Sequence, residues 1–569
     1  MIRKNLRWMA AAVLAANLAL VNPISLFAGP GDNKNSQGNP AESYQTATPI
    51  KHVIVIFDEN ISFDHYFATY PYATNPDGEP SFQPKHHTPR ANNLLSGGLL
   101  TENPNSTQPF RIDPAPTAAF PTYGQNTVSC DMSHSYTPEQ MADDHGLMDA
   151  FPASTGSGAS SSNPPCNDYG KGTGDVMAYF DGNTVQAIWN YAQHFALSDN
   201  SYSTMFGPST VGAVNLIAGT TEGATMQPLK VNGKAAAPGG NIANGVLSGP
   251  LIGDVRPLGD ECVLTDPGLQ GANLVSFSGK NVGNLLNAKN ITWGWFQGGF
   301  GPTGYTVPGG LAICGANHQG LAGPNGNGGP SPQNSSEGDY IPHHEPFQFF
   351  SSTENKHHVG PSDPSLIGTS SDGTNHQYDV SSFWTALGED RLPAVTYLKA
   401  AAYQDGHPGY SDPLDEQTWI VGIVNAIMNS PYWKDTAIII AYDDSDGWYD
   451  HVLGPIVNQS AVNDDALAGS GICGAATTAT QGQCGYGPRQ PLLVISPYAK
   501  RNYIDHRVTD QSSILRFIEE NWDLGTIGGN SSDVKAGRLN GLFDFDGTKK
   551  AGKLILDPST GVILGQDDD

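Results

Sequence analysis

Residues 52–60 read HVIVIFDEN, an apolar run that ends abruptly in polar side chains, and residues 437–444, AIIIAYDD, repeat this pattern. Each run is typical of a strand buried in a parallel sheet. The polar residues at the two ends include Glu59, Asn60, Asp443 and Asp444. Ligands bind beyond the carboxyl ends of such strands, and hard cations prefer oxygen ligands. The two stretches therefore predict a metal site at one sheet edge, and hence an enzyme.

The rest of the chain alternates between strand and helix patterns. Further strands are predicted at 291–296, 394–398, 492–495 and, briefly, 196–198, and amphipathic helices at 184–195, 414–428 and 511–522. Asp510 is the expected N-cap of the last helix, and Asp415 a cap or first-turn acid of the one before it. This alternation predicts an α/β fold with a mostly parallel sheet. The turn-rich stretches 82–127, 154–174 and 299–338 are expected to be long insertions over the catalytic edge, or cap elements.

The amino terminus has the pattern of an export signal. Residues 1–28 combine a basic start, an apolar core at 9–20 and a small residue, Ala28, at a possible cleavage point. A retained membrane anchor is the less favoured alternative, because the apolar core is short. The expected organisation continues with a flexible lead-in (29–48), one catalytic domain (49–545) and a solvated C-terminal tail (546–569), in a periplasmic or secreted protein.

The charge and the cysteine content disfavour certain partners and certain kinds of metal site. The chain has 28 basic and 55 acidic residues and a net charge of −27, which disfavours a nucleic acid or an anionic membrane as the main partner. The 6 cysteines are widely spaced without a C-x-x-C pair, so export favours up to three disulfides over a zinc site. Cys473 and Cys484 are placed to close a local loop, while the other pairings stay open.

Ser209 lies where a turn enters the apolar helical pattern of residues 206–219. A hydroxyl at a helix N-terminus faces free backbone N–H groups and the positive end of the helix dipole, which suits a nucleophile and a bound phosphate. The alternative is an ordinary serine or threonine N-cap. A Gly-x-Ser-x-Gly sequence is absent, so an α/β-hydrolase nucleophile turn is not supported.

Several histidines lie near other polar residues. The candidates are His134, His343, His344, His407 and His451, and histidine can bind phosphate oxygens, protonate a leaving alkoxide or bind metal. A structural or surface role is expected for His65, His86, His87, His357 and His358.

These residues carry a family resemblance. The motifs that carry it are residues 59–67 with Tyr70-Pro71, then 207–210, 343–347, 407–412 and 443–451. In content and order they resemble the motifs of the bacterial phosphoesterase family, which contains secreted acid phosphatases and phosphatidylcholine-type phospholipases C. The resemblance implies an alkaline-phosphatase-like three-layer sandwich. It also implies one divalent metal ion, of unknown identity, held by Glu59, Asn60, Ser209, Asp443 and Asp444.

The resemblance also assigns roles in catalysis. It implies that Ser209 is the nucleophile and that the phosphate pocket is lined by Asn60, His134, His343, His344 and His407. The acid that protonates the leaving group is expected to be His343 or His407, which favours activity at acidic pH.

Two departures from the family pattern affect the prediction. Val211-Gly212 follows the Ser-Thr pair where many members have Pro-Asn or Pro-Gly, and the double acid Asp443-Asp444 is closer to the acid phosphatase branch. The predicted function is an exported, metal-dependent phosphomonoesterase that acts through a phosphoserine. The alternative is a phospholipase C acting on phosphatidylcholine-type lipids, and a minor one is a non-catalytic metal-dependent binding protein. The expected partner is a phosphate ester, with no stable membrane anchor; the oligomeric state stays open.

Overall fold

The computed structural model describes residues 39–117, 123–156, 169–228, 230–231, 234–235, 241–265, 273–301, 309–316, 338–467, 473, 482–547 and 550–567. The strands in these residues are β1 (His52–Asp58), β2 (Phe110–Arg111), β3 (Ala178–Tyr179), β4 (Ala196–Tyr202), β5 (Ala224–Pro228), β6 (Lys230–Val231), β7 (Lys234–Ala235), β8 (Ser248–Gly249), β9 (Arg256–Pro257), β10 (Asn273–Phe277), β11 (Trp293–Gln297), β12 (Gln377–Asp379), β13 (Val395–Lys399), β14 (Thr436–Tyr442), β15 (Arg489–Ile495), β16 (Tyr503–Asp505), β17 (Thr509–Asp510), β18 (Leu554–Leu556) and β19 (Ile563–Gln566). The α-helices are α1 (Phe63–Phe67), α2 (Leu94–Gly97), α3 (Tyr136–Asp143), α4 (Gln186–His194), α5 (Ser209–Ala218), α6 (Val282–Ala288), α7 (Val380–Gly388), α8 (Pro413–Met428) and α9 (Gln511–Trp522).

The central sheet has nine strands in the order β12-β11-β13-β1-β14-β15-β4-β16, with β17 also paired to β4. The pairs on either side of β1 are parallel, and β15 runs antiparallel to both β14 and β4. The predicted α/β class and mostly parallel sheet are confirmed.

Both faces of this sheet are covered. On one face the rings of Trp295 and Tyr397 stack at 5.7 Å and contact Phe347, in a 3₁₀ turn that packs against α5. On the other face Phe296 contacts Phe383 of α7, and the Tyr442 hydroxyl donates to Glu416 of α8 at 2.7 Å. The result is the three-layer arrangement that the family resemblance implied.

The predicted elements agree with the structure except at their boundaries. Asp510 is the N-cap of α9, as expected. The cap of α8 is Asp412, whose side chain accepts from the backbone N–H groups of Leu414 and Asp415, so Asp415 is a first-turn acid. The sequence analysis missed a second sheet, β8-β5-β10-β9, because its strands are only two to five residues long and carry little periodicity.

The chain ends differ from the expected organisation. The predicted signal (1–28) lies outside the described residues, as does most of the lead-in. From Asn39 onward, however, the lead-in is packed: the Asn39 amide donates to the Leu392 carbonyl at 2.9 Å, and Ala41 is fully buried. The expected solvated tail forms the hairpin β18–β19, whose Leu554 and Leu556 are buried beside α8 because they complete its apolar surface.

Disulfides join Cys262 to Cys314 and Cys473 to Cys484, the second as predicted, and Cys130 is also disulfide-bonded. The predicted insertions 154–174 and 299–338 lie largely outside the described residues. Within the parts of the chain that the structure describes, every helix is too short or too polar to cross a lipid bilayer.

Candidate active site

Three neighbouring parallel strands end at one point of the sheet edge. Lys399 is the last residue of β13, Glu59 and Asn60 follow β1, and Asp443 and Asp444 follow β14. These five side chains are almost fully buried. The sequence patterns at 52–60 and 437–444 thus converge as predicted, because β1 and β14 are paired in parallel along their whole length.

Ser209 is brought to the same point by α5. It is the first residue of the helix and Pro208 is the N-cap, so the serine is not an ordinary capping residue. Its Oγ lies 2.8 Å from Oδ2 of Asp444, 3.2 Å from Oε2 of Glu59 and 3.4 Å from Oδ1 of Asn60. We call Glu59, Asn60, Ser209, Asp443 and Asp444 the oxygen cluster.

Gly212 lets the first turn of α5 pack against the end of β14. A Cβ atom at this position would lie 2.0 Å from the backbone oxygen of Asp443. The first turn of α5 can approach the end of β14 this closely only because residue 212 has no side chain. The glycine therefore helps to place Ser209 against the oxygen cluster.

The oxygen cluster holds more negative charge than the cationic side chains around it neutralise. Burial and the nearby Glu59 raise the pKa of Asp443 well above its ordinary value, and burial, Asp443 and Glu59 do the same to the pKa of Asp444. Burial also raises the pKa of Glu59, but His344 and Lys399 lower it by more, so that it lies well below its ordinary value. Lys399 Nζ and His344 Nδ1 both bond Oε1 of Glu59. Among the described residues, Asp443 and Asp444 form no ion pair with a lysine or arginine, although the nearby His134 partly offsets the raised pKa of Asp444.

The amide of Asn60 lies between two carboxylates and His407. One end of the amide lies 2.7 Å from Oε2 of Glu59 and 3.1 Å from Oδ1 of Asp443, and the other end lies 3.0 Å from Nε2 of His407. With its NH₂ group toward the carboxylates, the amide donates to both and its oxygen accepts from His407. Carboxylate, amide and hydroxyl oxygens of the kind gathered in the oxygen cluster fit a hard divalent cation.

His407 is held by the backbone and by Asn60. Its Nδ1 faces the carbonyl oxygen of Pro408 and therefore carries a proton, and its Nε2 lies 3.0 Å from the Asn60 amide. Burial lowers the pKa of His407. The ring stacks on Tyr410 at 4.2 Å, which holds its orientation.

His134 has the opposite electrostatic environment. Its Nδ1 lies 2.9 Å from the Met132 carbonyl oxygen, 3.3 Å from Oδ1 of Asp446 and 3.4 Å from Oδ1 of Asp131. Burial alone would lower the pKa of His134, but the carboxylates of Asp444, Asp131 and Asp446 raise it well above its ordinary value. Its ring lies 6.3 Å from that of His407.

His343 and His344 lie side by side in the 3₁₀ turn Pro342–His344, with ring centroids 4.3 Å apart. Burial and the adjacent guanidinium of Arg256 lower the pKa of His343, and burial lowers the pKa of His344 to about 4. Arg256 Nη1 lies 2.5 Å from His343 Nδ1. All the candidate histidines except His451 thus lie near the oxygen cluster or beside a residue that contacts it.

Sequence reasoning missed two cationic side chains, Lys399 and Arg256. Lys399 follows directly on the predicted strand 394–398, so a charged residue at the end of a buried run was a usable signal. Arg256 lies in the two-residue strand β9, where no pattern marks it.

His451 and His65 lie elsewhere. His451 bonds Asp64, which together with Asp450 surrounds the fully buried guanidinium of Arg489; we call these four residues the arginine cluster. His65 Nδ1 donates to the Ala178 carbonyl oxygen at 2.7 Å, and its ring stacks on Trp448 at 4.0 Å, the structural role expected of it.

The model of the Phosphoesterase family matches residues 50–525. The chain belongs to the Phosphoesterase family. Similar curated proteins include a non-hemolytic phospholipase C of Pseudomonas aeruginosa, 32% identical over 168 residues (27% of this chain and 24% of that protein), and one of Burkholderia pseudomallei, 36% identical over 133 residues (22% and 19%). Phospholipase C A of Mycobacterium tuberculosis is 27% identical over 164 residues (27% and 30%). The matched segments thus span less than a third of these relatives' length.

Among solved structures, a protein of the alkaline phosphatase superfamily from Vibrio parahaemolyticus is similar at a TM-score of 0.26 and 10% identity, covering 65% of this chain and 67% of that one. Similarity at this level carries no argument about the site.

Proposed function

We propose that this protein hydrolyses phosphate esters at the oxygen cluster, with Ser209 as the nucleophile. The observation that carries the proposal is the position of Ser209 Oγ, which lies among Glu59, Asn60 and Asp444 instead of capping its own helix. A buried hydroxyl at a helix N-terminus, beside oxygen ligands for a cation, is suited to attack a bound phosphate.

In the proposed reaction, the Ser209 hydroxyl gives its proton to Oδ2 of Asp444, 2.8 Å away, as Oγ forms a bond to phosphorus and the bond from phosphorus to the leaving oxygen breaks. A water molecule then attacks the phosphoserine and returns a proton to the acid that protonated the leaving oxygen. The Oγ–phosphorus bond breaks, and Asp444 gives the serine its proton back. Lys399 bonds Glu59 throughout and holds that carboxylate in place.

The leaving oxygen needs a proton, and we propose that His134 supplies it. Its three oxygen neighbours favour the doubly protonated ring, whereas the surroundings of His343 and His407 favour the neutral form. This choice differs from the expectation from sequence, which ranked His343 and His407 first. A neutral histidine such as His343 would donate a hydrogen bond to a phosphate oxygen through its protonated ring nitrogen.

A divalent cation would be held by the oxygen cluster, that is by Glu59, Asn60, Ser209, Asp443 and Asp444. Such a cation, when bound, neutralises phosphate oxygens and lowers the pKa of a serine hydroxyl. The excess of buried carboxylates supports this ligand set; the number and identity of the cations stay open.

For the substrate, we propose a phospholipase C reaction on a phosphatidylcholine-type lipid, because the curated relatives that match are phospholipases C. The second candidate is the phosphomonoesterase that the sequence favoured, and the acidic pair Asp443-Asp444 supports it through the family resemblance. Disulfides at Cys262–Cys314 and Cys473–Cys484 support an exported protein.

The two candidates are separated by one assay with two substrates. The purified protein, with a divalent metal added, is given phosphatidylcholine vesicles and, separately, an aryl phosphate monoester. Release of phosphocholine supports the phospholipase, and hydrolysis of the aryl phosphate alone supports the phosphomonoesterase. The variant Ser209→Ala is the control for both. Turnover of neither substrate with any of Mg²⁺, Ca²⁺, Mn²⁺ or Zn²⁺ would leave the non-catalytic alternative.

A further inference from the structure

Arg256 and His343 form a buried pair beside the candidate active site. The side chain of Arg256 is 6% exposed and that of His343 is similarly enclosed. Arg256 Nη1 lies 2.5 Å from His343 Nδ1. His343 is also in ring contact with His344, whose Nδ1 bonds Glu59 of the oxygen cluster. A chain of direct contacts thus runs from Arg256 to the oxygen cluster.

The chemistry of the two groups determines where the proton of His343 lies. A guanidinium has five N–H donors, no acceptor, and stays protonated in proteins. The Nδ1 atom that faces it must therefore accept, and a neutral imidazole that accepts at Nδ1 carries its proton at Nε2. The position of this hydrogen follows from the partner atoms, as it does for any histidine whose hydrogen atoms are inferred.

The fold holds Arg256 in this position from two directions. Arg256 lies in β9, which pairs in parallel with β10 through Leu274. Two residues earlier, Oδ1 of Asp254 accepts from both the backbone N–H and the hydroxyl of Thr210, at 3.0 and 2.9 Å. Thr210 follows Ser209 in the first turn of α5. The segment 254–256 therefore connects the start of the nucleophile helix to His343.

We propose that Arg256 is a positioning residue that keeps His343 as a neutral ring with its proton on Nε2. His343 then presents a hydrogen-bond donor to the substrate and does not transfer a proton to the leaving group. The effect on turnover rests on the proposed function, whereas the effect on the ring itself does not. Through this contact the second sheet, β8-β5-β10-β9, which the sequence did not indicate, contributes a residue beside the site.

A neutral donor and a charged histidine serve different purposes in one pocket. His134, surrounded by carboxylates, is placed to give up a proton, while His343, held by a guanidinium, is placed to bind an oxygen without changing charge. Without Arg256, Nδ1 of His343 would have no obligatory donor, and the ring could adopt the other tautomer or become an imidazolium.

The state of the ring can be measured by nitrogen NMR on the full chain labelled with ¹⁵N-histidine, without added substrate. The His343 signals are assigned as those lost in His343→Gln. We expect a protonated Nε2 and an unprotonated Nδ1 from about pH 5 to 8, the range in which an ordinary histidine changes charge. A wild-type ring with its proton on Nδ1, or an imidazolium in this range, would overturn the proposal.

Two substitutions test the cause. Arg256→Met removes the charge and the donors but keeps most of the stem, and should release His343 into a mixture of tautomers or of charge states. Arg256→Lys keeps an obligatory donor and should retain more of the Nε2–H form of His343. If the methionine variant does not fold, the lysine variant still tests whether a cationic donor at residue 256 sets the tautomer. Arg538→Met, at an exposed residue whose side chain bonds only Glu520 among the ion pairs of the described residues, is the matched control and should change nothing. An unchanged His343 spectrum in Arg256→Met would contradict the assignment.

Activity gives an independent readout through a double-mutant cycle. Arg256→Met should lower kcat/KM by about tenfold to a hundredfold, as for other outer partners of site histidines. In the His343→Gln background the same change should cost less than about twofold, because Arg256 acts through His343. Equal losses in both backgrounds would show that Arg256 acts separately. If no phosphate ester is hydrolysed at all, the proposed function fails, yet the nitrogen spectra still decide the tautomer.

Discussion

The oxygen cluster and the arginine cluster draw on the same two stretches of sequence, 59–67 and 443–451, yet their charge balance is opposite. Asp64 and Asp450 surround Arg489, a fully buried guanidinium whose Nη2 lies 3.4 and 3.1 Å from their carboxylates. The third partner, His451, bonds Asp64. In the oxygen cluster, by contrast, three carboxylates lie beside a single lysine, Lys399, which bonds Glu59.

The pKa of Asp64 reflects this difference, whereas burial raises the pKa of its neighbour Asp450 even beside Arg489. Burial raises the pKa of Asp64, but His451 and Arg489 outweigh it and hold the pKa below its ordinary value. The pKa values of Asp443 and Asp444 lie well above theirs. Buried carboxylates with matched cations are typical of a structural role, whereas those without them are candidates for a functional site. We therefore propose that adjacent residues of one motif serve different purposes, and four experiments can separate them.

The largest expected effect is on turnover. Ser209→Ala should lower kcat by at least about a thousandfold, because it removes the proposed nucleophile. The free energy of unfolding should change by about 1 kcal/mol or less, since one buried hydrogen bond is lost. Phosphate release and denaturant unfolding measure the two quantities. Ser209→Thr, which keeps a hydroxyl, is the matched variant and should retain more activity; an alanine variant as active as wild type would reject the role of Ser209.

Stability should respond most to the arginine cluster. Arg489→Met should lower the free energy of unfolding by about 3–5 kcal/mol, because it leaves two buried carboxylates without their cation. The kcat per folded molecule should stay close to wild type. Arg538→Met, whose side chain is 61% exposed, should change stability by no more than about 0.5 kcal/mol. If Arg489→Met abolished activity without loss of stability, the division between the two clusters would be wrong.

A divalent cation should stabilise the protein through the oxygen cluster. At a free concentration about 100 times its Kd, the cation should raise the free energy of unfolding by about 2.7 kcal/mol. Asp444→Asn should remove most of this increase, because it removes a charged ligand, and Asp64→Asn should not. Unfolding is followed with each of Mg²⁺, Ca²⁺, Mn²⁺ and Zn²⁺ and with a chelator. The same response in both variants would count against the proposed ligands.

The smallest effect concerns His451 and depends on pH. Burial lowers the pKa of His451, but Asp64 raises it by more. The charged ring therefore contributes its full stabilisation below the pKa of about 6.5 that histidine has in the unfolded chain. This stabilisation is lost as the pH rises through the raised pKa of the folded state. Asp64 has a lowered pKa, so its contribution is present above about 3.9 and is lost as the pH falls through the folded value. The pair should therefore stabilise most between about pH 4 and 6.5.

His451→Gln should accordingly lower the free energy of unfolding by about 1–2 kcal/mol at pH 5.5 and by less at pH 9. The measurement is denaturant unfolding of both proteins at the two pH values. His506→Gln is the control: His506 bonds Asp199 at 2.8 Å, but its side chain is 64% exposed, so a change of no more than about 0.5 kcal/mol is expected at either pH. A pH-independent loss in His451→Gln would mean that the charge of the ring does not matter.

Much of the site could be predicted from local patterns. Two apolar runs that end in Glu59-Asn60 and Asp443-Asp444 indicate two buried strands, and parallel strands bring their carboxyl ends to one edge. The start of α5 at Ser209 and the order of the motifs then indicated the Phosphoesterase family. Each of these signals is contained within about ten consecutive residues, which is why the sequence alone sufficed.

The tertiary structure alone decided which charges meet. Glu59 and Asp64 are five residues apart and both carry a carboxylate, but Glu59 meets two further carboxylates, Asp443 and Asp444, while Asp64 lies beside Arg489. Likewise, both His134 and His343 are buried, but Asp444 and other carboxylates raise the pKa of His134, whereas Arg256 lowers that of His343. Such pairings depend on strand register and burial across hundreds of residues, and burial amplifies them because the low dielectric of the interior strengthens each charge interaction.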